Sequence, residues 1–147
     1  MKTFQLNTLT NRIFIGAIAL LIFFSFEASA KKVQFLTSAI VPAARGYVKI
    51  NRDNNQNYVI IINISNLAEV YRLEPAKLTY VVWLETGDGI IMNMGKMKST
   101  AGFFSEKLKA SFITTTSLKP IKIFITAEDD PSLQYPGKEV VLTTSTF

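Results

Sequence analysis

The sequence predicts an all-β protein, specifically an antiparallel β-sandwich of about seven or eight strands with immunoglobulin-like Greek-key connections. Short apolar segments with period-two alternation recur at intervals of roughly ten residues. Residues that favour turns, mainly Gly, Pro, Asn and Asp, separate these segments. No amphipathic helical stretch and no internal repeat interrupts the pattern. We expect one domain over residues 31–147, because a chain of this length buries a core without disulfides.

Three strands are predicted before the first long connection. They cover residues 33–41, 47–51 and 58–65, and Pro42 ends the first of them. The polar segment 53–57 predicts a turn that joins the second and third strands as a hairpin. The residues of this hairpin that are predicted to face the core are Val48, Ile50, Ile60, Ile62 and Ile64.

Residues 78–85 (LTYVVWLE) form the strand around which we expect the rest of the fold to be organised. Both of its faces are apolar in the middle, which indicates a central strand covered on both sides. One face consists of Leu78, Tyr80, Val82 and Leu84. We expect Tyr80 to pack between the sheets with the isoleucines of residues 58–65. Trp83, the only tryptophan, has the opposite parity, and we expect the connection 66–76 to cover it.

Four further strands are predicted after a tight turn at residues 87–89. They cover residues 90–97, 103–112, 121–127 and 138–144, and Gly95 indicates a bulge in the first of them. Pro120 is expected to open the third. Between these strands the sequence predicts a turn at residues 99–102, a polar segment at 114–119 and an acidic loop at 128–137.

Residues 1–30 have the three parts of a secretory signal peptide. Lys2 and Arg12 give a basic start, residues 13–24 are apolar throughout, and Ala28 and Ala30 form the small-x-small cleavage site. The apolar run is shorter than the roughly 20 residues that span a bilayer, so an uncleaved membrane anchor is the weaker alternative. We therefore predict a periplasmic or secreted protein, cleaved after Ala30, with no stable membrane insertion after cleavage.

The formal net charge is +5, and the lysines are scattered singly along the chain. We interpret these lysines as solvated strand positions that protect the sheets against edge pairing, namely Lys49, Lys77, Lys96, Lys107 and Lys122. A nucleic-acid surface would show clustered basic residues interleaved with aromatic ones, so we predict no nucleic-acid partner.

The chain contains no His and no Cys, which excludes nucleophile systems of the Ser-His-Asp and Cys-His type and a His-based zinc site. We predict no enzymatic activity, no cofactor and no metal. Two alternatives remain open. A carboxylate-dependent hydrolase would require Glu85 or Glu128 to face another carboxyl across a cleft. Calcium would require Glu128, Asp129 and Asp130 to converge, whereas the plainer interpretation of this loop is a solvated turn.

The order of strands and the residues at their ends are similar to the extracytoplasmic C-terminal domain of anti-sigma-K (RskA-type) factors. The positions that carry this resemblance span most of residues 31–147. They are Pro42, Gly46, Asn66, Leu67, Tyr80, Trp83, Leu84, Gly95, Ile125, Glu128, Pro136, Val141 and Leu142. The resemblance implies a β-sandwich outside the inner membrane that acts as a binding or sensing module without catalysis.

An anti-sigma factor has a cytoplasmic sigma-binding domain before its membrane helix, whereas here only residues 1–12 precede the apolar run. We therefore expect a free-standing, exported form of the outer domain that recognises a protein partner in the bacterial envelope. The candidate partner-binding residues are Trp83, Phe124 and Tyr135. The alternative is a carbohydrate-binding or adhesive module, with Tyr47, Phe124 or Tyr135 lining a shallow face.

Export is directly testable by cell fractionation with N-terminal sequencing. We expect the protein in the periplasmic or secreted fraction, with Lys31 as its first residue, because the cleavage site follows Ala30. Full-length protein retained in the membrane fraction would contradict this prediction.

Overall fold

The computed structural model describes residues 30–97, 99–101 and 108–147. The predicted signal peptide therefore lies outside the described residues, except for Ala30. The described residues form nine strands in two antiparallel sheets. The first sheet has the order β1-β2-β3-β7-β6, with β1 Lys31–Gln34, β2 Arg45–Arg52, β3 Tyr58–Ser65, β7 Leu108–Thr116 and β6 Ser99–Ala101. The second has the order β5-β4-β8-β9, with β5 Ile91–Met97, β4 Thr79–Thr86, β8 Pro120–Glu128 and β9 Val140–Thr143.

The connections confirm the predicted β-sandwich. In an immunoglobulin constant-type sandwich the first, second, fifth and fourth strands form one sheet, and the third, sixth and seventh form the other. The order β2-β3-β7-β6 against β4-β8-β9 repeats that arrangement, with β1 and β5 as additional edge strands. The hairpin of β2 and β3 is also confirmed, since Arg52 pairs with Tyr58 and Asp53 binds the turn backbone at Asn55 and Asn57.

The main core lies between the sheets, and alternating residues of the central strands fill it. Tyr80 packs there with the isoleucines of β3, as predicted. It is 1% exposed, and its hydroxyl donates a hydrogen bond to the carbonyl oxygen of Ala68 at 2.8 Å. Burial raises the pKa of Tyr80 to about 12. The inward positions Val48, Ile60, Ile62, Ile123 and Ile125 are all fully buried.

Two predictions for the first half of the chain are wrong in part. The predicted strand at 33–41 ends at Gln34, because the next residues turn to the other sheet, where Phe35 bridges Thr144 and the Leu36 N–H donates to the carbonyl oxygen of Thr143. Further along, the Ser38 hydroxyl accepts the backbone N–H groups of Ile40 and Val41 in place of ladder bonds. Leu78 does not join the face of Tyr80 in the core. It precedes β4 and is 76% exposed.

The connection 66–76 packs on the main core and not on Trp83, so that prediction is wrong. Leu67 and Leu73 are buried in the same core as Tyr80, on either side of a short 3-10 turn at Val70–Arg72. The hydrogen bond from the Tyr80 hydroxyl to the carbonyl oxygen of Ala68 connects this segment to the inward face of β4. Trp83 points away from that face.

In the second half, the tight turn at 87–89 and the bulge at Gly95 are confirmed. Gly89 has a φ of 82°, and the register of β4 against β5 shifts between Val82 and Trp83, next to Gly95. Two segments differ from the prediction. Ser99–Ala101 is strand β6 where a turn was predicted, and β7 continues through Thr116 because it pairs with β3 as far as Tyr58. Residues 103–107 of the predicted strand 103–112 lie outside the described residues.

Tyr80 predicts a specific loss of stability in alkali. Its pKa is raised in the folded state. The contribution of the neutral Tyr80 side chain to the free energy of unfolding is therefore fully present below pH 10 and is lost as the pH rises from 10 to about 12. The shift corresponds to at most about 2.7 kcal/mol. We expect Tyr80→Phe to cost about 1 kcal/mol at neutral pH and to flatten this alkaline decline in urea unfolding. Tyr135→Phe, at a residue 79% exposed, is the control. An unchanged decline in Tyr80→Phe would contradict the prediction.

Candidate functional site

The two outer faces of the sandwich differ in what covers them. On the four-stranded sheet, Trp83 and Phe124 stack with ring centroids 6.3 Å apart and join Val81 in a second, smaller core. Trp83 is fully buried and its Nε1 donates to the Thr126 hydroxyl at 2.7 Å. Leu133, from the loop between β8 and β9, packs against this cluster. The chain itself therefore covers this face at Trp83.

Two side chains hold the loop between β8 and β9 in place, one through the middle of the loop and one by joining its two ends. The Asn93 amide on β5 donates to the carbonyl oxygens of Pro131 and Leu133 at 2.9 and 2.8 Å. The Glu128 carboxylate accepts the backbone N–H of Gly137 at 2.7 Å. A Cβ at Gly137 would lie 2.6 Å from that carboxylate, so only glycine permits this contact without displacement.

The same geometry bears on the calcium and hydrolase alternatives. Glu128 binds Gly137, Asp129 forms an ion pair with Lys77 at 2.7 Å, and Asp130 binds Ser132, so these carboxylates do not converge. No group of three potential ligand side chains suitable for a metal occurs among the described residues. Glu85 pairs with Lys122 at 3.2 Å and lies about 20 Å along the sheet from Glu128, so the two do not face each other.

The three candidate partner-binding residues do not form one exposed patch. Trp83 is 0% exposed and Phe124 6%, both beneath the loop, whereas Tyr135 is 79% exposed on it. Of the three, only Tyr135 is accessible to a partner without movement of the loop. The role of all three in partner binding stays a prediction.

The outer face of the five-stranded sheet carries an open groove with a volume of about 760 Å³. Four adjacent strands supply its floor and walls. Tyr47 lies near the middle, since it pairs with Gln34 on one side and Asn63 on the other. The lining residues are Lys32, Gln34, Arg45, Gly46, Tyr47, Asn63, Ile64, Ser65, Lys109, Ala110 and Ser111.

The groove is cationic. Lys32, Arg45 and Lys109 line it, and no carboxylate lies among the lining residues of the described chain. The Lys32 Nζ lies 4.0 Å from the centroid of the Tyr47 ring, a cation–π contact. Arg45 donates from Nη1 to the carbonyl oxygens of Pro42 and Ala44, which orients its guanidinium at the groove wall.

A like-charge pair adds to this field. Lys32 on β1 pairs directly with Lys49 on β2, and both side chains are exposed. Like charges directly opposite each other destabilise a strand pair, and an anion bound between them removes that cost. The geometry therefore favours binding of negatively charged groups over this face.

Sequence reasoning missed this groove. The sequence predicts only that Lys49 is a solvated strand position. Period-two alternation also places Tyr47, Asn63 and Ser65 on outward positions. That signal gives the face of each strand but not the neighbour of each strand. The row from Gln34 through Tyr47 and Asn63 to Ser111 exists only because β7 pairs with β3.

Comparisons with protein-family models, curated proteins and solved structures returned no match. The similarity to the anti-sigma-K outer domain therefore stays a prediction. Within the described part of the chain, no helix has the length and apolar character required to cross a bilayer.

The sole tryptophan gives a direct test of the covering loop. We expect Leu133→Ala to shift Trp83 fluorescence to longer wavelength and to increase its quenching by acrylamide, because Leu133 packs over the ring cluster. The stability cost should be about 2 kcal/mol. Tyr135→Ala, on the same loop but exposed, should leave the emission unchanged. Equal emission in the Leu133→Ala variant and the wild type would contradict this arrangement.

Proposed function

We propose that the protein is an exported, non-catalytic binding module of the bacterial envelope and that the cationic groove recognises an acidic segment of a partner protein. The observation that carries the proposal is the charge of the groove. Lys32, Arg45 and Lys109 line it, Lys49 lies beside it, and no carboxylate of the described chain is among its lining residues. Charge complementarity of this kind speeds association and excludes partners of the wrong sign.

The shape of the groove favours an extended segment. It runs across four strands of an open sheet face, and its floor consists mainly of short or polar side chains such as Ser65 and Ser111. A small-molecule pocket usually buries most of its ligand in a concave cavity, whereas this groove lies on an open sheet face. Tyr47 supplies one aromatic surface of the kind that is enriched in protein interfaces.

The carbohydrate-binding alternative receives less support from the geometry. It requires several exposed aromatic side chains on one shallow face. Tyr47 lies on the five-stranded sheet, Phe124 is buried on the other sheet, and Tyr135 lies on the loop that covers Phe124. The groove thus offers one aromatic ring among cations, which suits carboxylates better than a sugar plane.

Crosslinking in intact cells, followed by identification of the captured proteins, tests the proposal. We expect the wild type to capture an envelope protein with an acidic segment. The double variant Lys32→Glu/Lys109→Glu should reduce capture by about tenfold or more, because it places two repulsive charges in the groove. Capture by the wild type should weaken as ionic strength rises, since exposed charges are screened.

The matched control is Lys96→Glu/Lys138→Glu, which changes the net charge equally at exposed positions outside the groove. We expect this control to capture the partner as the wild type does. Equal loss in both double variants would indicate a net-charge effect and overturn the role of the groove. Recovery of the monomer alone from wild-type cells would overturn the partner-binding proposal.

A further inference from the structure

We propose that the protein has a second binding site, at the end of β2 remote from Arg45, which takes a small amphiphilic anion, a medium-chain fatty acid carboxylate. A cavity of about 270 Å³ opens there between the two sheets. It shares no lining residue with the cationic groove. The proposal is therefore independent of the function assigned to that groove.

The walls of the cavity are mainly apolar. Ile50 from the first sheet and Pro120 from the second are buried, and the rings of Tyr58 and Phe147 are partly buried at its sides. A water occupies about 30 Å³ in the liquid, so the cavity has room for about nine groups of that size. A chain of about eight carbons with a polar head matches this volume.

Three cations surround the cavity. Lys31, Arg52 and Lys119 line it, and no acidic side chain of the described chain is among the lining residues. Lys31 lies directly opposite Ile50 on β2. It therefore lies on the same face of the sheet as the core-facing residues of β2. The Lys31 side chain is exposed, so its ammonium group stays in water beside the apolar cavity and adds to the positive charge there.

Aromatic rings orient two of these cations. The Arg52 guanidinium lies 4.5 Å from the centroid of the Tyr58 ring and donates to the Tyr58 hydroxyl at 2.6 Å and to Gln56 Oε1 at 3.2 Å. The Lys31 Nζ lies 5.1 Å from the centroid of the Phe147 ring. The cations are thus held beside the apolar walls, which is the arrangement that an anion with an apolar body requires.

Titration with octanoate, followed by NMR of the protein purified from cells that express the full chain, tests this inference. We expect saturable shifts of the Ile50 methyl and Phe147 ring signals below the micelle-forming concentration. Octanol, which has the same chain without charge, should bind about tenfold more weakly, because it lacks the charge-assisted bonds to Arg52 and Lys119. Equal binding of both probes would overturn the assignment of an anion.

Variants separate this site from the groove. Arg52→Gln/Lys119→Gln should weaken octanoate binding about tenfold, whereas Lys32→Gln/Lys109→Gln should leave it unchanged. Both pairs change exposed side chains, so we expect both variants to fold. Loss of binding in the groove variant alone would overturn the proposal. So would absence of saturable shifts, or binding to phosphatidylglycerol vesicles without binding to octanoate, which would indicate a membrane surface as the ligand.

Discussion

The burial of β4 on both faces is the constraint on which the rest of the structure depends. Tyr80, Val82 and Leu84 fill the main core on one side, and Val81 and Trp83 fill a second core on the other. A strand covered on both faces requires two separate covers, since successive side chains point in opposite directions. The five-stranded sheet supplies one cover. The loop between β8 and β9 supplies the other through Leu133.

This requirement makes the two outer faces of the sandwich unequal. The loop is held over Trp83 by the amide of Asn93 and the carboxylate of Glu128, so the outer face of the four-stranded sheet is partly occupied by the chain itself. The outer face of the five-stranded sheet has no such loop over its groove among the described residues. Lysine and arginine side chains line that groove, and binding of an acidic segment is the function that its charge favours.

Acidic side chains in the second sheet and in the loop after β8 have structural partners of their own. Glu85 forms an ion pair with Lys122, and Asp129 forms one with Lys77. The Glu128 carboxylate accepts a hydrogen bond from the backbone N–H of Gly137. Lys32 and Lys49, by contrast, lie directly opposite each other on the neighbouring strands β1 and β2. No acidic residue of the described chain lines the groove or the cavity, and the resulting positive charge is the electrostatic basis of the two binding proposals.

Most strands could be identified from the residues, because alternation and turn chemistry are local properties, although Ser99–Ala101 was predicted as a turn. Tyr58–Ser65, the Gly95 bulge and the parity of Tyr80 against Trp83 all appear in the structure as predicted. Boundaries were less readable where polar side chains compete with the ladder, as at Ser38, or where a partner strand extends a polar segment, as at Thr116. Those outcomes depend on neighbours that local sequence does not specify.

The sequence by itself determined that Trp83 and Tyr80 face opposite ways, because side chains of a strand alternate with a period of two. Only the tertiary structure decided what lies over Trp83. Residues 66–76, which were predicted to cover it, and residues 128–137 each contain apolar residues, and the connection between β3 and β4 must cross from one sheet to the other. That crossing brings Leu67 and Leu73 to the main core and leaves Leu133 to cover the tryptophan. The groove likewise depends on strands paired across distant parts of the chain.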